Sequence, residues 1–134
     1  MSESKCHCGR PVPYAQCCGR YLDDGELPPT AEALMRSRYT AFVLHRWAWL
    51  VETHDPRTRG GLDEAQLKAS SASTTWQGLN VIDTWQGGEG QKVGKVEFVA
   101  FLQERNGHRG KIHERSRFRR FKGQWIYVDG EPQA

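Results

Sequence analysis

The sequence predicts an α+β fold: an antiparallel sheet wrapped over a layer of helices, preceded by a small N-terminal knuckle that holds one zinc ion. Three observations carry this. All four cysteines fall within the first 18 of 134 residues. Between Thr30 and His54 the apolar residues recur with helical period. After Ser73 the texture changes to four β-like runs separated by glycine-bearing turns.

The knuckle comes first. Cys6-His7-Cys8 and Cys17-Cys18 are two tight pairs with eight residues between them. Four thiolates at about 2.3 Å satisfy a tetrahedral zinc ion. One intervening residue lets Cys6 and Cys8 turn onto the same ion, and an adjacent pair can do so at a turn or helix start. Gly9 and Gly19 supply the backbone freedom such loops need. Disulfides are the competing use of these thiols. A Cys17–Cys18 bond would close a strained ring, and Cys6–Cys8 is also poor, since bridged Cα atoms usually lie about 4.4–6.8 Å apart. His7 is an alternative ligand, placed between two better ones. A closed four-thiolate site leaves no coordination position for chemistry, so the zinc is read as structural. The roughly 17 residues around it hold almost no aliphatic side chains and would not fold unaided. The rest of the chain is long enough to bury its own core.

Asp23-Asp24-Gly25 turns the chain, and Pro28-Pro29 bars a helix until Thr30, which reads as an N-cap with Glu32 favourable in the first turn. Ala31, Leu34, Met35, Tyr39, Phe42 and Val43 then mark one helical face, with Arg36, Ser37, Thr40 and Ala41 mostly elsewhere on the wheel. Trp47, Leu50 and Val51 resume the pattern, so helix continues or restarts after His45. His54-Asp55-Pro56 ends it, because the residue before proline avoids the α region. A short helix follows over Asp63–Ser70, with Asp63 as its cap.

Gly78–Thr84, Val93–Gln103, His108–Phe121 and Gln124–Asp129 read as strands. Val96, Phe98, Ala100 and Leu102 share one face of their strand, the predicted core face. In the next strand Ile112, Glu114, Ser116 and Phe118 share one face, and His113, Arg115, Arg117 and Arg119 the other. If Ile112 and Phe118 point inward, Glu114 does too, and a carboxylate on an apolar face is costly unless it is paired or lines a cavity.

The formal charge is +3, and four thiolates with one divalent ion remove two of those units, so charge informs only locally. It concentrates in the strand over 109–122, where Glu114 is the one acid. Arg109, Lys111, Arg115, Arg117 and Arg119 form a candidate basic patch. Such a row could contact phosphates of nucleic acid or ribosome, or be a solvated edge strand kept apart by its charges. His45, His54 and His108 read as surface or loop residues. No apolar run reaches transmembrane length, and the leading Met1-Ser2-Glu3-Ser4-Lys5 does not open a signal peptide. Both point to the cytoplasm, where clustered cysteines bind metal more often than they pair.

Cys6-x-Cys8-Gly9 with Tyr14-x-x-Cys17-Cys18-Gly19 resembles the SEC-C motif, a small zinc module also found at the C-terminus of the bacterial preprotein translocase motor. Beyond it, Glu32-Ala-Leu-Met-Arg-Ser-Arg-Tyr-Thr-Ala-Phe42, Trp76-Gln-Gly-Leu79, Val96-Glu-Phe98, His113-Glu-Arg-Ser-Arg-Phe118 and Trp125-Ile-Tyr-Val-Asp-Gly130 resemble the bacterial YchJ family over nearly the whole chain. The resemblance implies a SEC-C knuckle over 1–22 and a domain similar to nuclear transport factor 2 over 28–134, its strongly bent antiparallel sheet curled round helices into a cone. It carries no settled activity. Two departures stand out: the loop Arg10-Pro11-Val12-Pro13-Tyr14-Ala15-Gln16 lacks the lysines of many SEC-C modules, and Leu44-His45-Arg46-Trp47 stands where the family often has Gly-Asp.

Cones of this kind often enclose a cavity. Glu114 and Asp83 are the candidate acids, Arg36 and Arg38 their candidate counter-charges, and Tyr39, Trp76 and Trp125 candidate walls. Glu114 either pairs with Arg36 or Arg38 and fastens helix to sheet, or serves a ligand pocket as acid or base. The leading expectation is an adaptor whose knuckle docks a protein partner. The alternatives are a small-molecule or enzymatic cone domain, and nucleic-acid binding through the basic strand.

Overall fold

The computed structural model describes residues 5–133, so the reading of the leading residues 1–4 lies outside it. A 3-10 turn over Tyr14–Gln16 leads into helices α1 (Gly19–Leu22), α2 (Ala31–Leu44), α3 (Trp47–Glu52), α4 (Pro56–Arg59) and α5 (Glu64–Ser71). Strands β1 (Thr74–Gln86), β2 (Val93–Glu104), β3 (Arg109–Phe121) and β4 (Gln124–Pro132) follow. They form one antiparallel sheet in the order β1-β2-β3-β4. This is the α+β class that the sequence predicts, helices first and sheet second.

Helix α2 is the spine of the molecule. Thr30 caps it, its Oγ1 accepting from the Ala33 amide at 3.0 Å. It stops at His45, whose φ of 60° and ψ of 40° put it in the left-handed region. Glycine adopts that conformation without steric cost, so histidine sits here at a disadvantage. The helix therefore breaks, and α3 starts at Trp47. Ser37, Thr40 and Ala41, which the helical wheel sets off the apolar face, are fully buried together with Leu34. The wheel misleads because α2 is covered on two sides, by the sheet and by the knuckle with α3. Each buried hydroxyl is satisfied: Ser37 Oγ donates to the Leu34 carbonyl and accepts from Trp49 Nε1.

Strand β1 begins at Thr74, four residues before the predicted start, because Thr74, Thr75 and Trp76 pair with Glu104, Gln103 and Leu102. It carries two bulges, at Gln77 and Ile82. Each inserts a residue and flips the side-chain parity. Trp76, Leu79, Val81 and Thr84 thus oppose the inward row Leu102, Ala100, Phe98 and Val96. A third irregularity, at Val128, bends β4.

Residues 53–55 are a non-local feature. Asp55 N–H donates to the Tyr127 carbonyl and Tyr127 N–H to the Thr53 carbonyl, both at 2.7 Å, laying this segment parallel to β4. Asp55 then caps α4, accepting from the Arg57 amide, with Pro56 at the first helical position. His54, expected at the surface, is half-buried with its ring edge-on to Tyr127. Asp63 caps α5 as predicted.

Candidate functional site

The knuckle is built from hydrogen-bonded turns. Cys6 N–H donates to the Val12 carbonyl and Gly9 N–H to the Cys6 carbonyl, while Cys17 N–H closes the 3-10 turn onto Tyr14. Cys18 opens α1. Gly9 takes a φ of 95°, and a Cβ on Gly19 would lie 2.8 Å from the Tyr14 carbonyl oxygen, so both positions require glycine. The four Sγ atoms lie within 4.8 Å of one another, with Cys8 and Cys17 at 3.6 Å. All four thiols are free and buried. A tetrahedron of metal–thiolate bonds of about 2.3 Å has edges near 3.8 Å, so the donor set fits a single tetrahedral ion. His7 is exposed and outside the group.

The four cysteines are not a free-standing appendage. They belong to one core cluster with Leu34, Met35, Tyr39, Leu79 and Val96. Thr40 Oγ1 on α2 donates to Cys18 Sγ at 3.3 Å and lies 4.0 Å from Cys6 Sγ. Arg36 Nη1 donates to the Cys8 carbonyl at 2.8 Å. The boundary drawn between 22 and 28 in the sequence therefore runs through shared packing. The thiols also resist ionising together. Hydrogen bonds from Cys18 and Cys8 pull Cys6 down, whereas burial, then the charge of Cys8, pushes Cys17 up to about 12. Cys18 is raised too, chiefly by its hydrogen bonds to Cys6 and Cys8. A divalent cation is what lets four such thiolates coexist.

A second feature is a cavity of about 430 Å³ between α2, the end of α5 and the inner face of the sheet. Met35, Phe98, Ala100 and Phe118 make its apolar walls, with Tyr39 and Trp76 beside them. Ser70 and Ile112, both exposed, stand at its mouth. Its polar groups include Glu114, Ser116, Arg38 and Tyr127. Ser116 Oγ donates to Glu114 Oε2 at 2.8 Å. A Cβ on Gly130 would stand 2.1 Å from that same oxygen, so the glycine makes room for the carboxylate. Arg38 Nη1 donates to the Leu50 carbonyl and to Thr53 Oγ1, and its guanidinium lies 4.5 Å over the Tyr127 ring. Burial lowers the Arg38 pKa to about 10, and burial with the Glu114 charge raises Tyr127 to about 12. Burial, with the charges of Arg38 and Arg59, lowers His54.

Of the sequence-selected pocket residues, the structure brings Glu114, Arg38, Tyr39 and Trp76 to this cavity. It does not bring Asp83, Arg36 or Trp125 there. Asp83 shares odd numbering with Leu79 and Val81, but the Ile82 bulge turns it to the outer face opposite Glu97, where it is exposed and accepts from the Thr84 amide. Arg36 is committed to Glu32 and the knuckle. Trp125 is buried beyond Phe118, where its Nε1 donates to the Pro29 carbonyl. The helix-fastening pair expected for Glu114 is not formed, since among the described residues no Lys or Arg makes an ion pair with it.

On the outer face Arg115 pairs with Glu97, Arg117 with Asp129 and Arg119 with Asp55, so the basic row is partly neutralised. Glu97 also takes His113 Nε2 at 2.7 Å. Arg109 and Lys111 are exposed. Sequence reasoning missed Asp55, Tyr127, Ser116 and Thr40. A signal for Asp55 was present, because aspartate before proline marks a helix start as well as a helix end.

Fold and site together define a class: an α+β domain similar to nuclear transport factor 2, carrying a cysteine knuckle able to hold a metal. A family model described as the middle NTF2-like domain of YchJ matches residues 30–130. The chain is 43% identical to a UPF0225 protein of Streptomyces coelicolor over 131 residues, 98% of each chain. It is 40% identical to a UPF0225 protein of Photorhabdus laumondii over 126 residues, 93% of this chain and 79% of that one. The solution structure of a SEC-C motif-containing protein from Rhodopseudomonas palustris superposes with a TM-score of 0.88 at 34% identity, covering 98% of this chain and all of that one. The crystal structure of a SEC-C motif-containing protein from Psychrobacter arcticus gives 0.78 at 28%, covering 98% and 84%. The chain belongs to the YchJ family.

Proposed function

We propose that this is a cytoplasmic small-molecule-binding protein in which one zinc ion rivets the knuckle to α2 and the cavity takes the ligand. The observation that carries the reading is that Glu114 and Arg38 line one largely apolar cavity without pairing to each other. Charged groups left unpaired in such surroundings cost free energy. A ligand that donates to Glu114 and accepts from the unused nitrogens of Arg38 would recover it. The volume of about 430 Å³ suits a molecule of two or three rings. The zinc serves structure in this reading, because its ligands are turned into the core and its coordination is complete.

The test uses 1-anilinonaphthalene-8-sulfonate, whose aniline N–H, sulfonate and fused rings match Glu114, Arg38 and the apolar walls. Titrated onto zinc-loaded protein, it should bind saturably at one site. Arg38→Met should weaken binding about tenfold, the worth of one charge-assisted hydrogen bond, and Ile112→Trp should block the mouth. Absence of saturable binding, or binding indifferent to both substitutions, would overturn the proposal.

A further inference from the structure

The outer face of the sheet has its own chemistry, untouched by the cavity. A cleft of about 570 Å³ opens there between the β1–β2 end of the sheet and the row on β3. Arg57, Lys95, Arg115, Arg117 and Arg119 line it, and no carboxylate does. The carboxylates Asp55, Glu97 and Asp129 hold the arginines from outside the lining. Arg117 gives Nε and Nη2 to Asp129, and Arg119 gives the same two nitrogens to Asp55. Among the described residues, neither Nη1 makes a hydrogen bond. These guanidinium groups are thus fixed in place with donors to spare, which lowers the ordering cost of binding an anion.

Two large aromatic rings are exposed on the same face. Trp85 is 37% exposed, pairs across from Lys95, and carries the Arg115 guanidinium 4.5 Å over its ring. Phe101 is 38% exposed and pairs across from Lys111. The β2–β3 register has no bulge, so Arg109, Lys111, Arg115, Arg117 and Arg119 stay on one side of β3. Successive members two residues apart are about 6.8 Å apart along the strand, and the whole row spans about 34 Å. A row of that length, extending well past the cleft, fits a chain of phosphates better than a single nucleotide. Exposed rings on the strands beside the cations provide the stacking platform that a basic row by itself lacks. A duplex hides its base faces from such rings.

We infer that this face binds single-stranded nucleic acid, with phosphates along the β3 cations and bases stacked on Trp85 and Phe101. The test is fluorescence anisotropy of a labelled twelve-residue oligouridylate RNA with the full-length, zinc-loaded protein. Binding should weaken with salt, with a log–log slope reduced by about 0.7 in Lys111→Gln, the loss of one phosphate contact on a single strand. Trp85→Ala and Phe101→Ala should each weaken binding about tenfold or more. Both side chains are at the surface, and circular dichroism checks that each variant is folded; either one alone carries the test. Uridine monophosphate should compete poorly and duplex RNA weakly. No anisotropy change, binding insensitive to salt, or equal competition by the monophosphate would overturn the inference. So would sedimentation showing a second copy on this face, with Trp85→Ala returning the protein to a monomer.

Discussion

Replacing Asp55 with alanine should cost about 3 kcal/mol of folding stability, near the lower end of the range for breaking one side of a buried ion pair. Its side chain is 0% exposed and takes Arg119 through both oxygens at 2.6 and 2.9 Å. It also accepts from the Arg57 amide at 2.9 Å, capping α4. Losing such a cap is worth about 1 kcal/mol by itself. The lower end applies because Arg119 keeps 21% of its side chain exposed and can turn to water once abandoned. With a urea m-value of about 2 kcal/mol/M, the midpoint at pH 7 should fall by about 1.5 M. Asp55→Leu combined with Arg119→Met should recover much of the loss, since the one charge then left without its partner, Arg57, is mostly exposed to water. The pH dependence gives a second arm. The Arg119 guanidinium, then the Arg57 amide, hold the Asp55 carboxyl well below the usual carboxylate range. A depressed pKa contributes stability that is complete above the unfolded-chain value of about 4 and is lost as pH falls through the folded value. The gap between wild type and Asp55→Ala should therefore stay constant above pH 4 and shrink below it. A midpoint change under 0.3 M, or a gap that widens in acid, would refute this account of the Asp55 clasp.

Three further outcomes follow from the same geometry. Thr40→Val removes the donor to Cys18 Sγ and should lower zinc affinity about tenfold, as loss of a partner behind a ligand does, measured by competition with a chromophoric chelator. Gly130→Ala puts a methyl carbon where the Glu114 carboxylate now lies. It should push that side chain into the cavity and abolish probe binding, while costing only about 1 kcal/mol of stability in thermal melts because the carboxylate end is flexible. At His45, glycine should be more stable than alanine by about 1 kcal/mol in urea unfolding, the reverse of helix propensity, because the position is left-handed.

What could be read from the chain was local. Cysteine spacing gave the convergence of four thiols able to hold a metal, Thr30 and Asp63 gave their helix starts, and alternation along β3 gave the inward Glu114. Each of these depends on a few neighbouring residues whose geometry is fixed. The misses needed distant partners or an irregularity. Asp83 was misplaced by a single inserted residue at Ile82, which nothing in the alternation announces. Asp55 meets Arg119 across 64 positions, a pairing created when residues 53–55 lie along β4. Ser37 and Thr40 fall off the apolar face because a helical wheel knows only one apolar side, and the second cover on α2 comes from the knuckle. The break at His45 left a weaker trace, since a histidine occupies a backbone position that glycine fits better.

The knuckle and the cone share one core through the four cysteines, and the small-molecule site we propose is the cavity beside it. Hydrogen exchange of zinc-loaded and chelated protein, under reducing conditions, tests this most directly. If the thiols brace α2 as described, removing zinc should cost protection in residues 5–22 and, together with them, in α2 and the Leu79 region of β1. Loss confined to residues 5–22, with α2 and β1 as protected as before, would show instead a knuckle that hangs on an independent domain.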